Sequence, residues 1–306
     1  MAVAFFVSDK SDIIMSASGK QGVSQKMSKV ALVLEGGGLR GIFTAGVTDC
    51  FMDHGIDFDY VCGVSAGACN TFAFIGKQRG YFRKCVTQKN RFKSFYGVPQ
   101  MIESRRFVDL DKLFYDYTEE YGFDFGKFAN ASIEWEMVVS NIETGKAEYM
   151  STKDVEKCKK IGCASCAIPG LVSPVEIDGQ LYLDGGICDS IPISHTLEKG
   201  YDKAVVILTR KKGNYSRITD GQKLIFSRLF AKYPKFYEAI CRRSELYMKQ
   251  VGICEELEKQ GKVILIRPTM QEVSRLESDE DALAMSYFHG YTKAKEFLDR
   301  IREFKE

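Results

Sequence analysis

The sequence holds only three histidines, His54, His195 and His289, and no run of about 18 apolar residues. The first scarcity leaves few imidazoles for a zinc site or a general base, and the second leaves no segment that reads as a membrane-spanning helix. Charge of one sign is lacking too. Lys and Arg number 43 against 41 Asp and Glu, a formal net charge of +2, so no global field points to nucleic acid or an acidic partner. The ten cysteines show no regular spacing and read as reduced, mostly buried small side chains rather than a disulfide framework. Cys163 and Cys166 form one C-x-x-C. Without a second such pair the preferred reading is a tight turn, and no metal or cofactor is expected. The opening AVAFFV has no basic leader and is cut short by SDKSD, so neither a secretory signal nor an anchor is expected and the chain reads as cytoplasmic.

Apolar residues make up 45% of the chain, ample for a sizeable core. Residues 1–28, rich in Ser, Lys, Gly and Gln, read as a flexible arm before a single domain over 29–306, whose part from 211 to 306 is mainly helical. A first strand is expected at 30–34. Further apolar runs recur near 60 (DYVCGV), near 137 (WEMVVSN), at 204–209 (AVVILT) and at 263–268 (VILIRP). Runs without alternation suit strands covered on both faces, as in a parallel sheet with flanking helices. Helical patterns lie between them, at 42–54 and 66–77. Asp178-Gly179 between two alternating segments signals a two-residue hairpin, whose second strand leads into Asp184-Gly185-Gly186. From 278 a long amphipathic helix is expected, with Ser278 as N-cap and Leu283, Tyr287, Tyr291, Ala294, Leu298 and Ile301 on one face.

The stretch VALVLEGGGLRGIFTAG admits two readings. Gly36, Gly38 and Gly41 satisfy the G-x-G-x-x-G of a dinucleotide-binding turn. The same glycines can present backbone amides to a developing oxyanion. The next motif along the chain favours the second. GVSAG, with Gly63, Ser65, Ala66 and Gly67, sits between a strand and a helical pattern, the context of a nucleophile elbow that holds Ser65 at a helix N-terminus. A dinucleotide fold calls for an acid at the end of that strand, whereas Asp57 and Asp59 precede it. The serine hydroxyl needs a base. Asp184, on a sharp turn after the apolar QLYL, is the best-placed acid and is expected to titrate near its reference value of about 3.9. On spacing alone, an aspartate that caps its own turn is an equal reading. A Ser65, Asp184, His289 triad is compatible with residue order. His289, however, falls within the amphipathic helix, and His195 has no nameable orienting partner.

GGGLRG, GVSAG, ASCAIPG and DGG occur in this order between residue 30 and about 210, and together they resemble the patatin-like phospholipases. The resemblance implies an α/β fold, a three-layer α/β/α sandwich with a mainly parallel central sheet, and metal-free hydrolysis of lipid acyl esters. It also implies Ser65 as nucleophile and Asp184 as base in a dyad, with an oxyanion loop of Gly36, Gly37, Gly38 and Arg40. A catalytically silent lipid- or nucleotide-binding module on the same scaffold is the alternative from another class.

Two surface features stand apart from these motifs. Between Arg210 and Arg243 ten Lys or Arg meet only Asp220 and Glu238, interleaved with Leu224, Ile225, Phe226, Leu229, Phe230, Phe236 and Tyr237. Such a stretch suits peripheral contact with an anionic membrane, or equally a packed helix with a solvated basic face. RFKSFYGVPQM, with Phe92, Phe95 and Tyr96, reads as a hydrophobic entrance or as ordinary core.

Overall fold

The apolar runs become the inner strands of an eight-stranded sheet in the computed structural model, which describes residues 29–87, 109–215 and 217–306. The expectations for the N-terminal arm and for Phe92, Phe95 and Tyr96 lie outside the described residues. In chain order the strands are β1 (Val30–Leu34), β2 (Tyr60–Val64), β3 (Glu134–Asn141), β4 (Lys146–Met150), β5 (Val175–Ile177), β6 (Gln180–Asp184), β7 (Lys203–Ile207) and β8 (Val263–Ile266). β1 pairs in parallel with β2 and β7, β2 with β3, and β7 with β8. β4 and β6 run antiparallel to β3, and β5 to β6. The β5–β6 turn has Asp178 and Gly179 at φ 50° and 78°, the doubly left-handed geometry that an Asp-Gly hairpin supplies.

Strand side chains alternate between two cores. Val30, Leu32, Leu34, Met137 and Ile207 face one side; Ala31, Val33, Cys62, Val206 and Leu265 face the other. The first core is covered by α1 (Gly41–Asp53), α2 (Ala66–Ile75) and α3 (Val155–Cys166). The second is covered by α4 (Ile193–Glu198) and, beyond the outlying α5 (Asp220–Leu229), by the later half of α6 (Pro234–Lys259) through Tyr247, Val251 and Cys254. Burial on both faces is why these strands read as apolar runs. The result is the expected three-layer arrangement. β4, which no sequence signal marked, is half-buried at the far edge of β3.

The C-terminal helix differs from its sequence reading in two ways. Its cap is Asp279 rather than Ser278, because the Asp279 carboxylate accepts the Asp281 and Ala282 amides. It also divides into α7 (Glu280–Lys295) and α8 (Leu298–Lys305). At the junction the Glu296 and Phe297 amides bond back only three residues, to Lys293 and Ala294, which tightens and closes the turn.

α7 packs directly on α1. A Cβ on Gly46 would fall 2.0 Å from the Tyr287 carbonyl oxygen, and one on Gly290 would fall 2.1 Å from that of Phe43, so the helices cross backbone to backbone. Tyr287 fixes the crossing by donating to Asp49 Oδ2 at 2.7 Å. Replacing Gly290 with Val is expected to lower the unfolding free energy by at least about 1–3 kcal/mol, read as a lower urea midpoint. An unchanged midpoint would show that the crossing has room to spare.

Candidate active site

Ser65 follows the last residue of β2 and precedes α2, with φ 55° and ψ −120°. A non-glycine residue in that region is strained, and the surroundings hold it there. The Ser65 amide donates to Ser165 Oγ at 2.9 Å, and Ser165 in turn donates to the Val138 carbonyl at 2.7 Å. Small neighbours let the turn close: a Cβ on Gly67 would lie 2.2 Å from the Leu34 carbonyl oxygen, and one on Gly63 would lie 2.4 Å from that of Gly67. Ala66 is buried against Gly41, the first residue of α1. Ser165 lies inside ASCAIPG, so its motif was visible but its role was not.

Asp184 reaches Ser65 through the register of β3. β4 pairs with Met137–Asn141 on one edge of β3, so β2, paired over Glu134–Val138, and β6, paired over Val139–Asn141, share the other edge end to end. Val64 lies opposite Val138 and Asp184 opposite Val139. Ser65 Oγ donates to Asp184 Oδ2 at 2.8 Å, while Asp184 Oδ1 accepts the Gly186 amide at 2.7 Å. The serine-linked and turn-capping readings of Asp184 are therefore both realised, one on each oxygen. Burial lifts its carboxyl above the usual carboxylate value; the bonds from Ser65 and the Gly186 amide, and the charges of Arg243 and Arg275, oppose the rise. This corrects the expectation of a near-reference pKa. Ser140 Oγ braces the turn from below, donating to the Asp184 carbonyl at 2.9 Å.

The glycine loop leaves the end of β1 beside the elbow. Buried Glu35 accepts the Thr209 amide at 2.6 Å, and Thr209 Oγ1 donates to the Gly36 carbonyl at 2.9 Å. Arg40 Nε donates to the Gly37 carbonyl at 3.3 Å. In a trans peptide the carbonyl and amide point opposite ways, so holding these two carbonyls turns the Gly37 and Gly38 amides away from their anchors. Gly38, at φ 59°, then starts the turn into α1, and the Leu39 amide bonds the Arg275 carbonyl at 3.0 Å. Asp59 is at the opposite end of the sheet, accepting the Val30 amide at 2.8 Å, and Asp57 pairs with Lys77. Neither stands where a ribose-binding acid belongs.

Gly36, Gly37, Gly38, Arg40, Ser65 and Asp184 line one cavity of about 650 Å³. The basic stretch proves to be divided: Arg210, Arg243 and, from an exposed position, Arg217 line this cavity, whereas Arg228, Lys232, Lys235 and Arg242 are exposed away from it. Arg243 Nε donates to the Gly186 carbonyl at 2.5 Å. Arg275, in an irregular loop, carried no sequence signal. The histidines are occupied elsewhere. His54 bonds the Cys50 carbonyl, His289 bonds Thr269, and His195 has a partner that sequence reading missed, Glu136 at 2.6 Å, beneath a stacked Tyr149. None bonds Ser65 or Asp184. Cys163 and Cys166 lie in the last turns of α3 rather than in a tight turn; Cys163 Sγ faces the Leu110 carbonyl, and Cys166 Sγ lies 3.6 Å from Cys69 Sγ. Among the described residues no three His, Cys, Asp or Glu side chains are grouped to hold a metal, and no helix is long and apolar enough to cross a membrane.

An elbow serine bonded to an aspartate at the carboxyl edge of a mostly parallel, helix-covered sheet defines a class of α/β proteins rather than one protein. Residues 32–197, more than half of the chain, match the patatin-like phospholipase family, and the chain belongs to it. Residues 233–306 match a domain of unknown function, DUF6363. The chain is 34% identical to uncharacterized protein YjjU of Escherichia coli (strain K12) over 195 residues, covering 59% of this chain and 52% of that one. It is 29% identical to lysophospholipase NTE1 of Chaetomium globosum over 293 residues, covering 90% of this chain and 18% of that one. It thus spans about half of the first relative and under a fifth of the second. Among solved structures, VipD from Legionella pneumophila superposes with a TM-score of 0.48 at 14% identity, over 90% of this chain and 67% of that chain.

Ser165→Ala takes the acceptor from the Ser65 amide and the donor from the Val138 carbonyl, both buried. It is expected to cost about 1–3 kcal/mol of stability in urea unfolding. A variant as stable as the parent would show that the elbow holds without this bridge.

Proposed function

We propose that the chain is a serine acyl hydrolase that cleaves carboxylic esters of phospholipids, lysophospholipids or related acyl lipids. The observation that carries the reading is the 2.8 Å bond from Ser65 Oγ to Asp184 Oδ2 in the wall of a ligand-sized cavity. Asp184 takes the hydroxyl proton as Ser65 Oγ attacks the ester carbonyl carbon. The carbonyl oxygen becomes an oxyanion received by the Gly37 and Gly38 amides, with Gly36 and Arg40 anchoring the loop and the α2 N-terminus adding its dipole. The alcohol leaves with the proton Asp184 holds. Water, deprotonated by the same carboxylate, then attacks the acyl-enzyme; as the fatty acid is released, Asp184 returns that proton to Ser65 Oγ and both groups are restored. Membership of a phospholipase family and the similarity to a lysophospholipase, NTE1, support the substrate class.

Delivery from a membrane surface is part of the proposal. α5 buries none of its residues, and Leu224, Ile225 and Leu229 are 56%, 63% and 52% exposed. Gln222 and Phe226 of the same helix line the cavity. With Arg228, Lys232, Lys235 and Arg242 exposed nearby, α5 rests on an anionic bilayer and opens the cavity to it. Changing Leu224, Ile225 and Leu229 to Ser is expected to weaken binding to anionic vesicles about tenfold or more while a soluble ester is still turned over. Unaltered vesicle binding would return α5 to an ordinary solvated helix.

Ser65→Ala and Asp184→Asn are expected to lose nearly all hydrolysis of a short-chain p-nitrophenyl ester, whereas His54→Ala, His195→Ala and His289→Ala keep most of it. Only the ionised carboxylate accepts the proton, so the rate holds at high pH and falls as pH drops through the raised Asp184 value, above the usual ~3.9. Because burial raises Asp184, the histidine variants rather than the position of the limb discriminate dyad from triad. A folded histidine variant as inactive as Ser65→Ala would replace the dyad with a triad. Failure of a fluorophosphonate probe to label Ser65 in folded protein would favour a catalytically silent binding module.

A further inference from the structure

Five arginines, Arg40, Arg210, Arg217, Arg243 and Arg275, line the cavity that holds Ser65 and Asp184. They arrive separately: after β1, after β7, before α5, from α6, and from the loop before α7. Two carboxylates share the lining, and both are engaged. Glu35 accepts the Thr209 amide at 2.6 Å and faces Arg210 at 4.0 Å. Asp184 holds the Ser65 hydroxyl and the Gly186 amide. Among the described residues no carboxylate lies within 4.0 Å of Arg40, Arg217, Arg243 or Arg275.

Guanidiniums crowded in this way repel one another, and the ionisation of Arg40, Arg243 and Arg275 registers it. Burial first and Arg210 next lower Arg40; burial also lowers Arg243, Arg210 adding to the effect while Asp184 opposes it. Burial, then Arg243, Arg40 and Arg210, bring Arg275 down to about 9. Arg40, Arg243 and Arg275, clustered without a carboxylate within 4.0 Å among the described residues, are stabilised when an anion enters among them. The remaining wall is apolar, with Ile168, Pro169, Leu171, Ile187, Phe226 and Ile240. One cavity therefore offers an apolar surface to an acyl chain and a cationic one to a headgroup, and Asp184 feels both Arg243 and Arg275.

Resting on the acyl-hydrolase reading of Ser65, we propose that this site selects acyl lipids whose phosphate headgroup carries no compensating cation, above all terminal phosphomonoesters of the lysophosphatidate and phosphatidate class. A phosphomonoester near neutral pH bears a charge of about −1.5 to −2 and three acceptor oxygens, which suits several guanidiniums at once. A choline or ethanolamine ammonium would be brought against the same cations, with Glu35 and Asp184 already engaged. An anionic glycerol phosphodiester carries a single charge and ranks between the two.

The test compares kcat/KM for one acyl chain on four headgroups, phosphomonoester, glycerol phosphodiester, phosphocholine and bare glycerol, below their micelle concentrations. The phosphomonoester is expected to exceed phosphocholine by about tenfold or more, and this ratio to fall about tenfold in Arg275→Gln combined with Arg217→Gln. Equal rates on all headgroups, a preference for phosphocholine, or a ratio unmoved by the double variant would overturn the proposal. Preference for the glycerol phosphodiester would overturn the terminal-phosphate assignment. If no ester is cleaved and Ser65 resists fluorophosphonate, the hydrolase reading fails on its own, and calorimetry with glycerol 3-phosphate decides the selectivity. Binding that weakens about tenfold in the double variant supports the arginine site, and absence of binding to the parent overturns it.

Discussion

Everything at the site depends on one edge of β3. Two strands that run in opposite directions share that edge end to end, and their carboxyl ends meet at adjacent positions, Val138 and Val139. Residues 119 apart in sequence are thereby brought to hydrogen-bond distance by backbone pairing alone. The Val138 carbonyl closes the junction by accepting Ser165, which in turn holds the amide of Ser65. A slip of β6 by one residue would send the Asp184 side chain to the other face of the sheet. The Asp-Gly turn between β5 and β6 matters for this reason, because hairpin geometry pins the register.

The same junction sets the chemistry of Asp184. Its carboxyl is buried, which disfavours charge, and it is ringed by a hydroxyl, an amide and two guanidiniums, which favour it. Burial wins, and the carboxyl is raised above the usual carboxylate value. The loop after β1 is anchored through its Gly36 and Gly37 carbonyls and through Glu35, whose carboxylate ties it to the end of β7.

How much of this was legible tracks the range of each interaction. GVSAG and GGGLRG are local: strand, tight turn and helix succeed one another, so the elbow and the loop could be read from the order of small and apolar residues. The Asp-Gly hairpin and its delivery of Asp184 were local as well. The pKa of Asp184 was not, because it depends on α3, α6 and the loop holding Arg275 closing over it. Glu35 stood beside the glycines, yet its partner Thr209 lies 174 residues away. The basic stretch shows the limit most plainly. Composition summed Arg210, Arg217 and Arg243 with exposed lysines, whereas the fold sets those three on the cavity wall, Arg217 still exposed, and leaves Arg228, Lys232, Lys235 and Arg242 in solvent. His195 likewise had its partner Glu136 on a distant strand. The Asp279 cap and the break before Leu298 were missed for a smaller reason, since neighbouring acids and a continuous apolar face leave helix ends ambiguous by a residue or two.

The crossing of α1 and α7 also bears on the order in which the protein can be assembled. α1 is apolar on nearly every side, and its outer face is sealed by residues more than 230 positions later, as the bond between Asp49 and Tyr287 records. A nascent chain that has made the whole elbow, both Ser65 and Asp184 and six strands still presents the back of α1 to water. Contacts so distant in sequence carry a large loop-closure cost, and an apolar helix left uncovered until they form is prone to aggregate. Ser65 and Asp184 are therefore both present in the chain long before α7 covers the back of α1.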